Sequence, residues 1–270
     1  MSPDRIPWAQ LPNTVHRAAE QHLGSTYSAT DAAGGGNADI ATILTTPTDT
    51  LFIKGIQDKE RAEELHLEYR INPYLPHDIC PRARWHTEAD GWVLLAFDAV
   101  NGDHADYTPG ATGLKAVTTA LTTLSGITAP PLSLLTAWDR WGYYCDNETE
   151  PLLHGNSLLH TDLAATNIIV NNGQAHVIDW SWAARGPAWI DPTLWAIRLI
   201  SDGGHSPAEA VLRAQEIPAF READPQAVAV LARAEAARWA DVHADGAPGI
   251  DGVTHGARQW ANYWARQIPL

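Results

Sequence analysis

The chain has 270 residues, of which 45% are apolar and 19% are charged, a balance typical of a folded globular protein. Its formal net charge is −14, with 32 acidic against 18 basic residues. This acidity argues against a nucleic-acid partner, because binding to phosphates requires clustered Lys and Arg side chains. A cationic small molecule, in contrast, would be attracted to the chain.

The sequence shows no pattern typical of a membrane span, a secretory signal or a redox-active cysteine pair. No stretch approaches about 18 uninterrupted apolar residues, and the first ten residues lack the apolar core of a secretory signal. Cys80 and Cys145 stand alone, without CxxC spacing. We therefore expect two reduced thiols, a cytoplasmic location and no membrane partner, whereas the oligomeric state stays open.

The first half of the chain is rich in strand patterns, with one helix that Pro73 limits. The predicted strands cover residues 27–33, 40–46, 51–56 and 91–99, and the helix covers residues 58–72. Helical spacing begins later. Further helices are predicted from an apolar stripe of Leu114, Val117, Leu121 and Leu124, at residues 207–215 and 226–243, and around a core face of Trp260, Tyr263 and Trp264. A small sheet lobe at residues 1–97 and a helical lobe at 98–270 are expected, connected through residues 98–113 with a ligand cleft between them.

One short hairpin carries polar residues at one end. Two apolar strands flank the turn Asn171-Asn172-Gly173, and their pairing is expected to bring Asn167 and Asp179 to the same end. An amide oxygen and a carboxylate there suit Mg²⁺, which prefers oxygen ligands. Asp162, in the loop before the hairpin, can accept or orient a hydroxyl proton. This layout matches the template for phosphoryl transfer.

A lysine upstream fits the same template. Lys54 lies within an apolar strand, where an unpaired ammonium would be costly, so a carboxylate partner is expected from Glu64 or Glu68 on the next helix. A glycine turn precedes this strand, and glycine lets a backbone approach a triphosphate closely. The alternative is structural: Lys54 extends to solvent from an edge strand, and the polar hairpin residues serve turns and caps.

Together these motifs resemble the aminoglycoside phosphotransferase family within the protein-kinase-like superfamily, over nearly the whole chain. The segments that carry the resemblance are GGGNADIATIL, DTLFIKGI, LHLEYRINPYLP, GWVLLAFDAVNG, LLHTDLAATNIIV, HVIDW and RGPAWIDPTLWA. The resemblance implies a bilobal, protein-kinase-like α+β fold. Residues 1–97 would bind nucleotide on a small antiparallel sheet, and residues 98–270 would carry the catalytic loop and the acceptor site.

The resemblance also implies residue roles. Asp162 would be the catalytic base, and Asn167 and Asp179 would be catalytic residues that hold Mg²⁺. Lys54 would hold the α and β phosphates of ATP, oriented by Glu68, which the spacing of the family favours over the alternative glutamate.

Further roles concern the nucleotide and the catalytic loop. The resemblance implies that Gly34, Gly35 and Gly36 cover the phosphates and that backbone groups near Ala96 and Asp98 hold adenine. In the second lobe, Asp191 would brace the catalytic loop and His160 would pack beneath it. The loop has Thr161 where many relatives have Gly, and Trp180 follows Asp179 where protein kinases have Phe-Gly. These departures argue against a protein kinase.

The sequence therefore predicts an ATP-dependent phosphotransferase that modifies a hydroxyl of a small molecule, an aminoglycoside or another hydroxylated antibiotic. Asp241, Asp245 and Asp251 are candidates for contacts with a polycationic acceptor. Alternatives are a metabolic kinase of the choline, sugar or homoserine type and an inactive nucleotide-binding module. A metallohydrolase is disfavoured because no HExxH motif occurs. The choice between ATP and GTP stays open.

Overall fold

The computed structural model describes residues 5–32 and 38–268. The chain divides into two compact units, one of Met1–Asn101 with Ile178–Ser181 and the other of Gly102–Val177 with Trp182–Leu270. The boundary was predicted between residues 97 and 98. Ile178–Ser181, which comes later in the chain, was not predicted to belong to the first unit. An antiparallel sheet early in the chain and many helices after it confirm the predicted fold class.

The first unit is built on a five-stranded antiparallel sheet in the order β1-β2-β3-β5-β4. Its elements are α1 (Asn13–Leu23), β1 (Ser28–Asp31), β2 (Ile40–Thr45), β3 (Thr50–Ile56), α2 (Lys59–Ile71), β4 (Ala83–Ala89) and β5 (Trp92–Asp98). The predicted strands and the helix are present, whereas α1 and β4 were not predicted. The turn Asp90-Gly91, with φ of 52° and 79°, was an available hairpin signal for β4.

Strand β5 explains why an uninterrupted apolar run occurs in the sheet. Its alternate residues point to opposite faces, and each face has its own buried core. One core contains Trp92, Leu94 and Ala96 of β5 with Val15 and Ala19 of α1, and the other contains Val93, Leu95 and Phe97 of β5 with Ala62 and Leu65 of α2. By the same alternation Lys54 points to the α2 face, because its neighbour Ile53 lies in the α1 core.

Helix α2 places a glutamate against that face. The helix begins after Asp58, whose carboxylate accepts hydrogen bonds from the backbone N–H groups of Glu60 and Arg61. It ends at Ile71, and Pro73 follows in a short 3₁₀ turn, as expected from its missing N–H group. Near the end of the helix, Glu68 is 2% exposed.

The second unit combines helices with two three-stranded sheets, ordered β10-β9-β6 and β7-β11-β8. Its elements are β6 (Asp103–His104), α3 (Leu114–Ser125), β7 (Leu135–Thr136), α4 (Ala137–Trp141), β8 (Ser157–Leu159), β9 (Ile168–Asn171), β10 (Gln174–Val177), β11 (Ala184–Gly186), α5 (Ile190–Ser201), α6 (Pro207–Ala214), α7 (Pro218–Arg221), α8 (Pro225–Ala244) and α9 (Asp251–Gln267). The predicted apolar stripe on α3 is buried. Trp260 is fully buried in the core, whereas Tyr263 and Trp264 are half-buried.

The hairpin of β9 and β10 forms as the sequence predicts. Its turn residues Asn172 and Gly173 have φ of 49° and 78°, the pair of positive values that a tight hairpin turn requires. At the other end Ile168 pairs with Val177. Along the chain, Asn167 therefore precedes this end by one residue and Asp179 follows it by two.

Two further sequence expectations have structural counterparts. Cys80 and Cys145 are both free thiols, and burial raises the pKa of the Cys80 thiol. Across the described ranges, 5–32 and 38–268, no helix combines the length and the apolar character needed to cross a membrane.

Candidate functional site

The first unit contains a buried cluster of Lys54, Glu68 and Asp179, here called the lysine cluster. Lys54 Nζ lies 3.1 and 3.0 Å from the two carboxylate oxygens of Glu68 and 3.0 Å from Oδ1 of Asp179. The helix therefore supplies Glu68, and not Glu64, as the partner of the strand lysine. Lys54 is only 9% exposed, so the alternative of a lysine extended to solvent does not apply.

The charges of the lysine cluster hold the ammonium in its protonated form. Burial alone would lower the pKa of Lys54, because desolvation disfavours a charge. The Coulombic attraction and hydrogen bonds of Asp179 and Glu68 outweigh burial, so the pKa of Lys54 is raised above its ordinary value. One ammonium faces two carboxylates, and the cluster can therefore accommodate a further cation.

Backbone contacts fix the position of Asp179. Glu68 accepts a hydrogen bond from the backbone N–H of Trp180 at 3.1 Å, which ties the segment to α2. Asp179 itself has a φ of 66°, a left-handed conformation that few residues other than glycine adopt. The hydroxyl of Ser181 donates to the Asp179 carboxylate. Such a conformation persists only where its surroundings impose it, and it is frequent at functional sites.

Two predicted parts of the nucleotide site have different outcomes. Gly34, Gly35 and Gly36 lie outside the described residues. Ala96 is paired with both neighbouring strands of the sheet, opposite Ile53 on β3 and Trp85 on β4. Its backbone groups therefore belong to the sheet ladder, and the prediction that they hold adenine is wrong for this residue.

Asp98, the last residue of β5, also forms hydrogen bonds through its backbone and its side chain. The backbone N–H of Asp98 donates to the carbonyl of Arg82 at 2.9 Å, and its carboxylate accepts from Arg84 at 2.6 Å. The N–H of Ala99 donates to Thr50 at 3.1 Å. An adenine contact through the N–H of Asp98 would therefore require that bond to Arg82 to break.

The second unit holds Asp162 and Asn167, which together with Arg198 are here called the aspartate cluster. The side-chain amide of Asn167 donates to the Asp162 carboxylate at 2.9 Å and to its backbone carbonyl at 3.1 Å. Because the amide NH₂ group faces Asp162, the oxygen of the same amide is directed elsewhere and can serve as a metal ligand. Arg198, from α5, donates to the other carboxylate oxygen of Asp162 at 2.9 Å.

Asp191 holds the backbone of the loop that carries Asp162. Its two carboxylate oxygens accept from the backbone N–H groups of His160 at 2.7 Å and Thr161 at 2.9 Å. Burial raises the pKa of Asp191, and the neighbouring His160, these two N–H groups and Arg140 oppose that rise. His160 is fully buried, and its Nδ1 accepts from the backbone N–H of Asp162 at 3.2 Å.

Thr161 occupies the loop position where many relatives have glycine. Its φ is 69°, an unusual value for a β-branched residue that glycine would adopt without strain. The threonine compensates with its hydroxyl, which donates to the carbonyl of Trp182 at 2.8 Å and accepts from Arg140 at 2.7 Å. These bonds tie the loop of Asp162 to two other segments of the second unit.

The arginines around Asp162 were not predicted from the sequence. Arg198 contacts it directly, and Arg238 attracts it through space while donating two hydrogen bonds to Glu235, at 2.8 and 2.9 Å. Arg198 and Arg238 both lie over the ring of Trp239, at 5.7 and 4.5 Å from its centre. The one available signal was a charged residue, Arg198, inside the apolar pattern of α5. Its partner lies 36 residues away and cannot be read from spacing.

Comparisons with known proteins agree with this geometry. Residues 136–231, which include Asp162, Asn167, Asp179 and Asp191, match the model of the APH family, described as the phosphotransferase enzyme family. No curated protein sequence matches the chain.

Solved structures extend the likeness to nearly the whole chain. The choline kinase LicA from Streptococcus pneumoniae is similar with a TM-score of 0.64 at 12% identity, covering 94% of this chain and 99% of that one. A thermostable mutant of the aminoglycoside phosphotransferase APH(4)-Ia, in a ternary complex with AMP-PNP and hygromycin B, gives 0.61 at 12% identity, covering 96% and 99%. The spectinomycin phosphotransferase APH(9)-Ia, in complex with ADP and spectinomycin, gives 0.57 at 13% identity, covering 94% and 95%.

At such low identities these structures establish the fold alone, and the family match is confined to residues 136–231. The predicted resemblance is confirmed: this chain has the fold of the kinase-like phosphotransferases, and its residues 136–231 carry the sequence pattern of the APH phosphotransferase family.

Proposed function

We propose that the protein transfers the γ-phosphate of ATP to a hydroxyl group of a small molecule. The observation that carries this proposal is the buried contact of Lys54 with both Glu68 and Asp179. A lysine held between a helix glutamate and a metal-binding aspartate is the arrangement that phosphoryl transfer from a nucleotide requires. Two of the similar structures are complexes with ADP or AMP-PNP, which supports ATP as the donor.

Each residue then has a role that its chemistry supports. Lys54 binds the α and β phosphates, and Glu68 orients it. Asp179 and the side-chain oxygen of Asn167 fit Mg²⁺, because both are hard oxygen donors. When bound, Mg²⁺ would supply positive charge that offsets the negative charge developing on the phosphates. Asp162 accepts the proton of the acceptor hydroxyl or orients that hydroxyl for attack, held by Asn167 and Arg198.

Ala96 is not among the adenine contacts, because the sheet uses its backbone groups. We propose that adenine is bound by the backbone at the end of β5 and just beyond it, at Asp98 and residues 99–101. Gly34, Gly35 and Gly36 remain the proposed cover of the phosphates.

The acceptor is proposed to be an aminoglycoside or another hydroxylated antibiotic, which would make the protein a resistance enzyme. Two similar structures support this class, since they are complexes with hygromycin B and with spectinomycin. Asp241, Asp245 and Asp251 are exposed and are proposed to pair with the amines of such an acceptor, which at Asp251 would displace His243, now 2.9 Å away.

A specific observation favours a second class of acceptor, a neutral or anionic metabolite of the sugar or homoserine type. Asp162, Arg198, Glu235 and Trp239 lie together in the second unit around a cavity of about 10 Å³, room for about one water molecule, so the charges around it and not its volume carry the observation. Both carboxylates of this cavity already contact arginine, Asp162 through Arg198 and Glu235 through Arg238. A polycation brought to Asp162 would meet guanidinium groups, whereas a hydroxyl next to an anionic or neutral group would not be repelled.

A phosphorylation screen tests both candidates. The full chain, Mg²⁺ and either ATP or GTP are incubated with aminoglycosides, spectinomycin, choline, sugars and homoserine, and the products are examined by mass spectrometry. The Asp162→Asn variant serves as the control for contaminating kinases. A phosphorylated acceptor that depends on Asp162 supports the proposal. Nucleotide binding without any phosphorylated product across the panel would favour the inactive nucleotide-binding module instead.

A further inference from the structure

A second group of polar side chains lies in the first unit, apart from the lysine cluster. His66 on α2 and His86 and Glu88 on β4 direct their ligand atoms to one point. Oε1 of Glu88 lies 3.2 Å from Nε2 of His66 and 3.5 Å from Nε2 of His86, and all three atoms are within 4.8 Å of one another. Glu63, one turn before His66, lies 3.4 Å from its Nδ1.

Hydrogen bonds do not account for this convergence. The Nε2 atoms of His66 and His86 are both buried, and neither has a hydrogen-bond partner among the residues that the structure describes. The Glu63 carboxylate can only accept, so the facing Nδ1 of His66 carries the proton. The carboxylate of Glu88 faces the other ring nitrogen, Nε2, at 3.2 Å. A second proton on the ring or a metal ion on Nε2 would fit this contact, and a metal ion would in addition engage Nε2 of His86, which faces the same oxygen at 3.5 Å.

We propose that His66, His86 and Glu88 bind a transition-metal ion of the Zn²⁺ class. Two imidazole nitrogens and one carboxylate are a common ligand set for zinc, whereas Mg²⁺ prefers oxygen ligands alone. Zinc bonds of about 2.0 Å in tetrahedral geometry separate neighbouring ligand atoms by about 3.3 Å. The contacts of Glu88 with the two histidines have this separation.

The surroundings also suit a metal centre. Glu63 is the outer carboxylate that would orient His66, as carboxylates commonly do for metal-bound histidines. Tyr69 stacks on the ring of His86 at 5.2 Å and restricts its rotation. An open cavity of about 420 Å³, lined in part by His66 and Glu88, gives the ion an entry path and leaves room for a water as fourth ligand.

An ion at this position would join helix α2 to strand β4. His66 lies two residues before Glu68 on the same helix, so the ion would fix the helix that holds Lys54. The proposed metal site does not depend on the identity of the donor nucleotide or of the acceptor.

Zn²⁺ binding to the full chain tests the proposal. Protein freed of metal with a chelator is titrated with Zn²⁺ by calorimetry, and with Co²⁺ by visible absorption. We expect one saturable site with the absorption of a four-coordinate Co²⁺ centre. His66→Ala and His86→Ala should each weaken Zn²⁺ binding by more than about 100-fold, and Glu63→Gln by about 10- to 100-fold, the usual effect of an outer partner.

His154→Ala is the matched control. His154 lies 3.2 Å from Glu150 on the surface, a histidine–carboxylate pair without a second histidine, and its loss should leave binding unchanged. If the alanine variants do not fold, Glu88→Gln replaces them, because this side chain is 60% exposed. The proposal is overturned if the wild type shows no saturable site, or if the ligand variants bind Zn²⁺ as tightly as the wild type or no more weakly than His154→Ala.

Discussion

The lysine cluster and the aspartate cluster use their charges in different ways. In the first unit, Lys54 is buried against two carboxylates, and each partner comes from a different element. In the second unit, the side chain of Asp162 is 26% exposed and is held by one amide and one guanidinium, while Asp191 fixes the loop backbone. Buried charges depend on their partners for stability, whereas a partly exposed carboxylate can change with little effect on folding.

This contrast has a functional meaning. Substitutions in the lysine cluster should reduce stability and nucleotide affinity together. Substitutions at Asp162 should reduce turnover while the fold and the nucleotide affinity remain.

Asp162→Asn should lower turnover by about 10² to 10⁴, the usual effect of losing a general base. The asparagine keeps the shape of the side chain but cannot take a proton. Single-turnover kinetics with an acceptor found in the screen measures the effect, and circular dichroism checks the fold. Asp103→Asn, which makes the same chemical change at an exposed position with no proposed role, is the control. Wild-type turnover in Asp162→Asn would remove this residue from the mechanism.

Lys54→Met should lower the free energy of unfolding by about 3–5 kcal/mol, because it leaves the carboxylates of Glu68 and Asp179 buried without their cation. Urea denaturation of the full chain measures the change. Lys115→Met, on an exposed position of α3, controls for the loss of a lysine. An unchanged midpoint would mean that the cluster contributes nothing to folding and that the contrast between the two clusters is wrong.

Mg²⁺ and ATP together should stabilise the wild type, by about 2.7 kcal/mol at 100 times the dissociation constant. Thermal unfolding measures this effect. Asp179→Ala should remove most of the Mg²⁺-dependent part of nucleotide binding, whereas Asp162→Ala should leave it intact. The reason is that Asp179, and not Asp162, is assigned to the metal and contacts Lys54. Calorimetric titration compares the two variants. Equal losses of affinity would show that these roles are misassigned.

Asp191→Asn should lower the free energy of unfolding by about 1.5–3 kcal/mol, because an amide can accept only one of the two backbone N–H groups that the carboxylate now accepts. The loop of Asp162 would lose part of its support, so turnover should fall as well. Urea denaturation and kinetics are measured on the same sample. Stability reduced without any change in turnover would show that the brace does not position Asp162.

Local chemistry made several features readable from the sequence. The turn Asn172-Gly173 accepts positive φ values at low cost, so the hairpin was predictable. Asp58 caps α2 and Pro73 cannot continue it, which set the limits of that helix. A lysine in an apolar strand implied a buried partner, because an unpaired charge in the core is too costly.

The sequence could not identify which distant groups meet. Residue chemistry alone left both Glu64 and Glu68 as possible partners of Lys54, and the packing of α2 on the sheet decided between them. Pairing of β5 on both edges removed Ala96 from the adenine site, since ladder bonds depend on which strands are neighbours.

The sequence by itself determined the local elements and the residue types of the chemistry, because turns, caps and alternation act over a few residues. Only the tertiary structure decided the contacts of Arg198 with Asp162 and of Asp191 with the loop, and the convergence of His66, His86 and Glu88. These groups are separated along the chain and come together through packing. Hydrophobic burial drives packing without direction, so no local pattern encodes which polar groups it brings into contact.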